Sequence, residues 1–415
     1  MNASATVSPH VRGATQGLAF TIPALYGRRV VVSDLRIALF TGNYNYVRDG
    51  ANQALNRLVA YLQEQGAAVR IYSPRTDTPA FPSVGKVIGI PALALPGRGE
   101  YRAPLYIPTS VKRDIAAFAP THFHIASPEV LGHRAVTLAR KVGRPVIASV
   151  HTRFETYPRY YNAAFLEPLF ETMLRRLYRR CDAIFAPSES MATLLREQRM
   201  NDHVGTWSRG IDAALFNPGA RDLGWRRGLG IADEEPVVGF VGRLVMEKGL
   251  DVFADAVRVL AARGVRHRVL VVGEGPARGW FSDALPDAIF AGFQKGADLG
   301  RAVASLDMLF NPSVTETFGN VTLEAMATGL PVVAARATGS TSLVAHGVSG
   351  ALVEPGDAEA FADALQLYCE DTQARRAAGD AGLAASRRYS WDAVNAKLVE
   401  GYLEVGRRGG RAARA

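Results

Sequence analysis

The 415-residue sequence predicts an α/β protein of two doubly wound, parallel-sheet domains facing each other across a cleft. Three observations carry this. Short apolar runs of strand length alternate with helix-length stretches along nearly the whole chain. A turn-rich segment, Asn217-Pro-Gly-Ala-Arg-Asp222, separates two such series. The length gives each series room for its own core.

In the first series, strands are expected at 36–40, 69–72, 121–125, 145–150 and 183–186, with a helix over 51–64 after the first. In the second, strands are expected at 237–241, 268–272, 288–290, 308–310 and 332–335. A last helix over 391–405, with Ser390 as its N-cap, is expected to cross back to the first domain. The division is then an N-terminal extension (1–33), a first domain (34–216, joined by 386–405), a second domain (217–385) and a basic tail (406–415).

Composition narrows the class. Hydrophobic residues make up 48% and charged residues 21%, the balance of a soluble globular protein. No apolar run nears the ~20 residues a membrane span needs. The first 33 residues lack the apolar core of a signal peptide, so a cytoplasmic location is expected. Cys181 and Cys369 have no partner at metal-ligand spacing and read as buried, reduced thiols. The formal charge of +9 draws on Arg12, Arg28 and Arg29, on the Arg175, Arg176, Arg179 and Arg180 stretch, and on the tail arginines Arg407, Arg408, Arg411 and Arg414. Such charge suits an anionic membrane, a charged substrate or nucleic acid. Nucleic acid is set aside because it leaves the glycines and glutamates of the cleft without a purpose.

Those residues form the strongest motif, Thr315-Glu-Thr-Phe-Gly-Asn-Val-Thr-Leu-Glu324. Gly319 opens a helix whose first-turn N–H groups and dipole suit an anion such as a phosphate. Glu316 and Glu324, eight residues apart, flank that start and can accept hydrogen bonds from sugar hydroxyls. Arg243 and Lys248 follow the first strand of the second series, and together they can neutralise a diphosphate. Gly273, in Val272-Gly-Glu-Gly275, is expected to let backbone approach a ligand, and Gly292-Phe293 to offer backbone groups and a ring edge to a base. From the first domain, Gly42 and Gly50 are expected to turn backbone N–H groups toward phosphate oxygens. His124 and His151 end two strands and point at the same cleft, with Arg153 and Tyr157 just beyond on the acceptor side. There is no Gly-Lys-Ser/Thr phosphate loop. There is also no Asp-x-Asp, so neither a metal nor another cofactor is expected.

Three spacings, Gly242-Arg243-(x)4-Lys248-Gly249, Val272-Gly-Glu-Gly275 and Glu316-(x)7-Glu324, resemble glycosyltransferase family 4. Phe123-His-Ile-Ala-Ser-Pro128 and His151-Thr-Arg-Phe154 extend the resemblance over residues 36–405. Pro91-Ala-Leu-Ala-Leu-Pro96 and Trp207-Ser-Arg-Gly-Ile-Asp212 are most similar to the branch of sulfoquinovosyl-diacylglycerol synthase and the mannosyl- and glucuronosyl-lipid transferases. Ala51-Asn52, after Gly50, departs from the many relatives with a second glycine there.

The resemblance implies the GT-B fold of two Rossmann-like domains and transfer of a hexose from a nucleotide-diphosphate sugar with retention of configuration. It puts Arg243 and Lys248 on the donor diphosphate, Glu324 on the ribose, Glu316 on the sugar and His151 near the anomeric centre. Phe318, Gly319 and Asn320 would line the helix start beneath. The implied acceptor is a membrane lipid, diacylglycerol or a simple glycolipid, with lipopolysaccharide or polysaccharide assembly as the alternative. A GT-B epimerase or phosphorylase is the alternative of another class. Phe154, Tyr157, Tyr160, Tyr161 and Phe165, interleaved with Arg153 and Arg159, are expected to seat the first domain on the inner face of the cytoplasmic membrane.

Overall fold

The computed structural model describes residues 31–46, 50–95, 98–156 and 163–412. The first domain runs β1 (Arg36–Phe40), α1 (Gly50–Glu64), β2 (Ala68–Ser73), β3 (Lys86–Gly89), β4 (Leu93–Leu95), β5 (Arg98–Ala103), α2 (Thr109–Phe118), β6 (His122–Ile125), α3 (Val130–Lys141), β7 (Val146–Ser149), α4 (Glu167–Tyr178), β8 (Ala183–Ala186), α5 (Glu189–Glu197) and β9 (Val204–Thr206). Its main sheet is parallel, in the order β3-β2-β1-β6-β7-β8-β9, with β4 and β5 forming a separate antiparallel pair.

The second domain runs α6 (Leu223–Gly228), β10 (Val237–Val241), α7 (Leu250–Ala262), β11 (Arg268–Val272), α8 (Arg278–Ala284), β12 (Ile289–Gly292), α9 (Gly296–Ala304), β13 (Met308–Asn311), α10 (Asn320–Ala327), β14 (Val332–Ala335), α11 (Ser340–Leu343), β15 (Gly350–Val353), α12 (Ala358–Glu370) and α13 (Thr372–Ser386). Its sheet is also parallel, ordered β12-β11-β10-β13-β14-β15. Central strands such as β13 and β14 are buried on both faces, which is why they read as unbroken apolar runs rather than alternating ones.

In each sheet the strand order reverses direction once, between β1 and β6 and between β10 and β13. These reversals leave crevices at the carboxyl ends of the strands, where ligands of doubly wound sheets bind.

The final helix, α14 (Trp391–Ala412), returns to the first domain. Leu398, Val399, Tyr402, Leu403 and Val405 join the core formed by α1 and β1. The two crossings between domains run side by side: the Ile211 N–H donates to the Tyr389 carbonyl at 2.7 Å, and Trp391 packs flat against Gly210. Cys181 and Cys369 are buried and unpaired, and burial pushes both thiols up to about 12, which keeps them inert.

Candidate active site

The second-domain half of the cleft is built at the start of α10. Gly319 takes φ +97 as the N-cap, a backbone state that a side chain would strain, and it turns the chain into the helix directly beyond Glu316. The Glu316 carboxylate pairs with the Lys248 ammonium, which arrives on the loop after β10. Thr315 anchors that loop by donating to the Glu247 carbonyl. Glu324, about one turn into α10, lies close enough to feel the charge on Glu316. Burial first, and that charge second, push it up to about 7. One cation and two carboxylates thus share a helix N-terminus, an arrangement able to hold a phosphate and hydroxyls together. Arg243 is exposed, and no described residue holds its guanidinium by a hydrogen bond or ion pair. Phe293 stands 66% exposed beyond β12, open to stacking.

Two second-domain expectations need correction. The Phe318 ring is buried against Tyr389, at 5.7 Å between centroids, so it supports the helix start instead of lining a ligand site. A Cβ on Gly273 would fall 1.9 Å from the Gly242 carbonyl oxygen. Glycine is therefore required by the close approach of the segments after β10 and β11, and its N–H is taken by the Gly292 carbonyl at 2.9 Å.

On the first-domain side, Gly50 meets Asn320 across the cleft: a Cβ there would lie 2.5 Å from the Asn320 amide nitrogen. Gly42 is not available to a phosphate. Its N–H donates to Ser127 Oγ at 2.9 Å, and the Glu129 carboxylate lies where a Cβ on Gly42 would project.

His151 does come to the cleft, where its carbonyl accepts from Thr317 Oγ1 at 2.9 Å, one residue from Glu316. Its ring is engaged on both nitrogens. Arg209 Nη2 lies 2.8 Å from Nδ1, and a guanidinium only donates, so Nδ1 accepts. Nε2 then carries the proton and donates to Ser149 Oγ at 2.9 Å. Burial and the Arg209 charge hold the imidazole neutral, well below its ordinary pKa. His151 is therefore a fixed neutral group rather than a proton carrier.

His124 is fully buried, between Tyr402 of α14 at 2.5 Å and Ser149 at 2.8 Å, so it cannot touch an acceptor. Arg153 is half-buried and paired with Glu155 at 2.8 Å. Tyr157 lies outside the described residues.

Sequence reasoning missed Arg209, Ser149 and Tyr402, which hold His151 directly or through His124. Only the Trp207-Ser-Arg motif carried a signal, for Arg209. It also missed the serine clasp between domains, in which Ser188 Oγ donates to the Thr317 carbonyl at 2.7 Å and Ser190 Oγ lies 2.8 Å from Ser342 Oγ.

The raised pKa of Glu324 has a testable consequence. The folded protein holds a proton there from its ordinary value of 4.5 up to about 7. The stability this proton contributes is complete below 4.5 and is lost as pH rises through about 7. Glu324→Gln is therefore expected to melt a few degrees above the parent at pH 8, with the gap closing toward pH 5. Equal melting temperatures at pH 8, followed by calorimetry, would contradict the burial of an unpaired carboxylate.

Comparison with known proteins agrees with this geometry. Residues 48–215 match the family model described as Glycosyltransferase Family 4, and residues 235–371 match that described as Glycosyl transferases group 1. A GDP-mannose-dependent alpha-mannosyltransferase of Mycolicibacterium smegmatis is 32% identical, over 91% of this chain and 100% of its own. A sulfoquinovosyl transferase of Arabidopsis thaliana is 30% identical, over 88% of this chain and 72% of its own. Among solved structures, sucrose-phosphate synthase from Thermosynechococcus elongatus superposes with a TM-score of 0.72 at 21% identity, over 89% of this chain and 98% of that one. Two reversing parallel sheets, a helix-start cluster of Lys248, Glu316 and Glu324, and full-length relatives at this identity lead to one conclusion: the chain is a GT-B hexosyltransferase of glycosyltransferase family 4.

Proposed function

We propose that the protein transfers a hexose, with retention, from a nucleotide-diphosphate sugar to a membrane lipid such as diacylglycerol or a simple glycolipid. The observation that carries this reading is the Lys248–Glu316 pair at the N-terminus of α10 beside Glu324. In this reading Arg243, Lys248 and the first-turn N–H groups of α10 stabilise the departing diphosphate, the largest demand of the reaction. Glu316 orients the sugar, Glu324 accepts from the ribose, and Asn320 and Gly50 close over the donor. Proximity of donor and acceptor supplies the remainder. The GDP-mannose-dependent relatives favour GDP-mannose as donor, and UDP-sugars are the alternative.

Radiolabelled GDP-mannose or UDP-glucose, incubated with a lipid extract, tests the reaction. A labelled lipid with an α-linkage, formed equally well with EDTA present, is the expected result. A labelled lipopolysaccharide or polysaccharide intermediate alone would replace the lipid acceptor, and loss of activity with EDTA would contradict the metal-free site.

The membrane part of the reading rests on α4 and the turn before it. Phe165, Leu169 and Met173 stand 80%, 55% and 52% exposed at four-residue spacing, forming one apolar stripe. Arg176 continues the stripe with no hydrogen bond or ion pair to another described residue. The expected surface is otherwise revised. Phe154 packs against the first-domain core, and Tyr157, Arg159, Tyr160 and Tyr161 lie outside the described residues. Arg175 pairs with Glu171, while Arg179 and Arg180 bind Arg199 and Thr137. No helix among the described residues is long and apolar enough to cross a membrane; the contact in this reading is peripheral, on the inner face of the cytoplasmic membrane.

Flotation with liposomes is expected to show binding that rises with anionic lipid and falls with salt. A Leu169→Glu/Met173→Glu double variant should lose most of it. Equal flotation by that variant would move the contact elsewhere, and no flotation by the parent at low salt would remove the membrane surface from the reading.

A further inference from the structure

Glu129 stands four residues beyond β6, and Gly42 two residues beyond β1. These two strands are neighbours at the reversal of the first sheet, the position where its ligand crevice opens. Glu129 is the N-cap residue of α3, yet its side chain makes no capping bond. The carboxylate turns instead over the loop after β1. A Cβ on Gly42 would meet its two oxygens at 2.1 and 2.3 Å, so the missing side chain at Gly42 is what admits it. No described residue pairs with it by a hydrogen bond or ion pair.

Such a group needs a donor, and its sign selects the donor's class. A phosphate in the same crevice would be repelled by the ionised carboxylate. A hydroxyl is attracted, and charge assistance makes that hydrogen bond one of the stronger kinds.

We propose that Glu129 accepts a hydrogen bond from a hydroxyl of the acceptor's headgroup and so orients the acceptor in the first-domain crevice. This rests on the acceptor being hydroxylated, as proposed above. Burial pushes the carboxyl up to about 7, as expected of an acid that lacks its partner until the ligand arrives. No arginine or lysine among the described residues contacts it, which leaves its lone pairs to the ligand.

The test compares Michaelis constants with radiolabelled GDP-mannose as donor, and with free glycerol and dioleoylglycerol in phosphatidylcholine vesicles as acceptors. Glu129→Gln is expected to raise the acceptor KM at least ~10-fold, the scale of a lost charged hydrogen bond, and to shift the GDP-mannose KM far less. Gly42→Ala, whose methyl displaces the carboxylate, should do the same, and the double variant should be no worse than either single one. An unchanged acceptor KM in Glu129→Gln, or an equal rise in both constants, overturns the assignment.

Failure of the lipid reading is separately visible. If the parent glycosylates glycerol but not dioleoylglycerol, the lipid acceptor is wrong, while a raised glycerol KM still supports Glu129. If the parent uses neither, with UDP-glucose in place of GDP-mannose as well, the glycerol-type acceptor and the role of Glu129 fall together.

Discussion

Glu316→Gln is expected to lower turnover by at least ~100-fold while leaving the fold intact, the scale of losing one positioned charged group at a reacting centre. The substitution keeps size and removes charge, and Glu316 is only half-buried, so no cavity forms. Two effects combine. The sugar loses a charged hydrogen-bond acceptor, and Lys248 loses the partner that fixes its ammonium. Removing the Glu316 charge also relieves Glu324, whose pKa should move back toward the ordinary carboxylate value. Steady-state turnover at saturating donor, with circular dichroism as a fold control, decides the matter. Turnover within a few-fold of the parent would remove Glu316 from the reaction.

The second large effect is expected on nucleotide affinity. Arg243→Ala and Lys248→Ala should each weaken nucleoside diphosphate binding by about 1.5–3 kcal/mol, roughly 10- to 150-fold, as charged hydrogen bonds do. Lys248→Ala should be the more damaging of the two. It removes a positive charge and also leaves Glu316 unpaired beside Glu324, so two carboxylates would face the incoming diphosphate. Arg243 has no such partner to strand. Titration calorimetry with GDP and UDP measures both. Unchanged affinity in both variants would overturn the diphosphate assignment, and a smaller loss in Lys248→Ala would show that its pairing with Glu316 persists in the bound state.

Much of this site was legible because its parts are local. The strand ends, the glycine at 319 and the residues 316–324 lie within one strand-turn-helix unit, where spacing alone fixes neighbours. The missed strands are short or solvent-facing. β3 and β4 span four and three residues at the margin of the first domain, too few to show a period. The misread side chains have a different cause. Phe318, His124 and Gly273 sit at the right places in sequence, but Tyr389, Tyr402 and the Gly242 carbonyl occupy the space they face. Each of those partners lies on another element.

The sequence by itself determined the two-domain α/β architecture, the returning last helix and the Lys248, Glu316 and Glu324 cluster, because apolar periodicity and turn chemistry act over short distances. Tertiary structure alone decided which groups are free to act. Arg209 and Ser149 fix His151 from positions 58 and two residues away, and Tyr402 reaches His124 across 278 residues. Glu129 is brought over Gly42 only by the pairing of β1 with β6. Burial and hydrogen bonding set protonation and availability, and both arise from contacts between chain segments that no local pattern records.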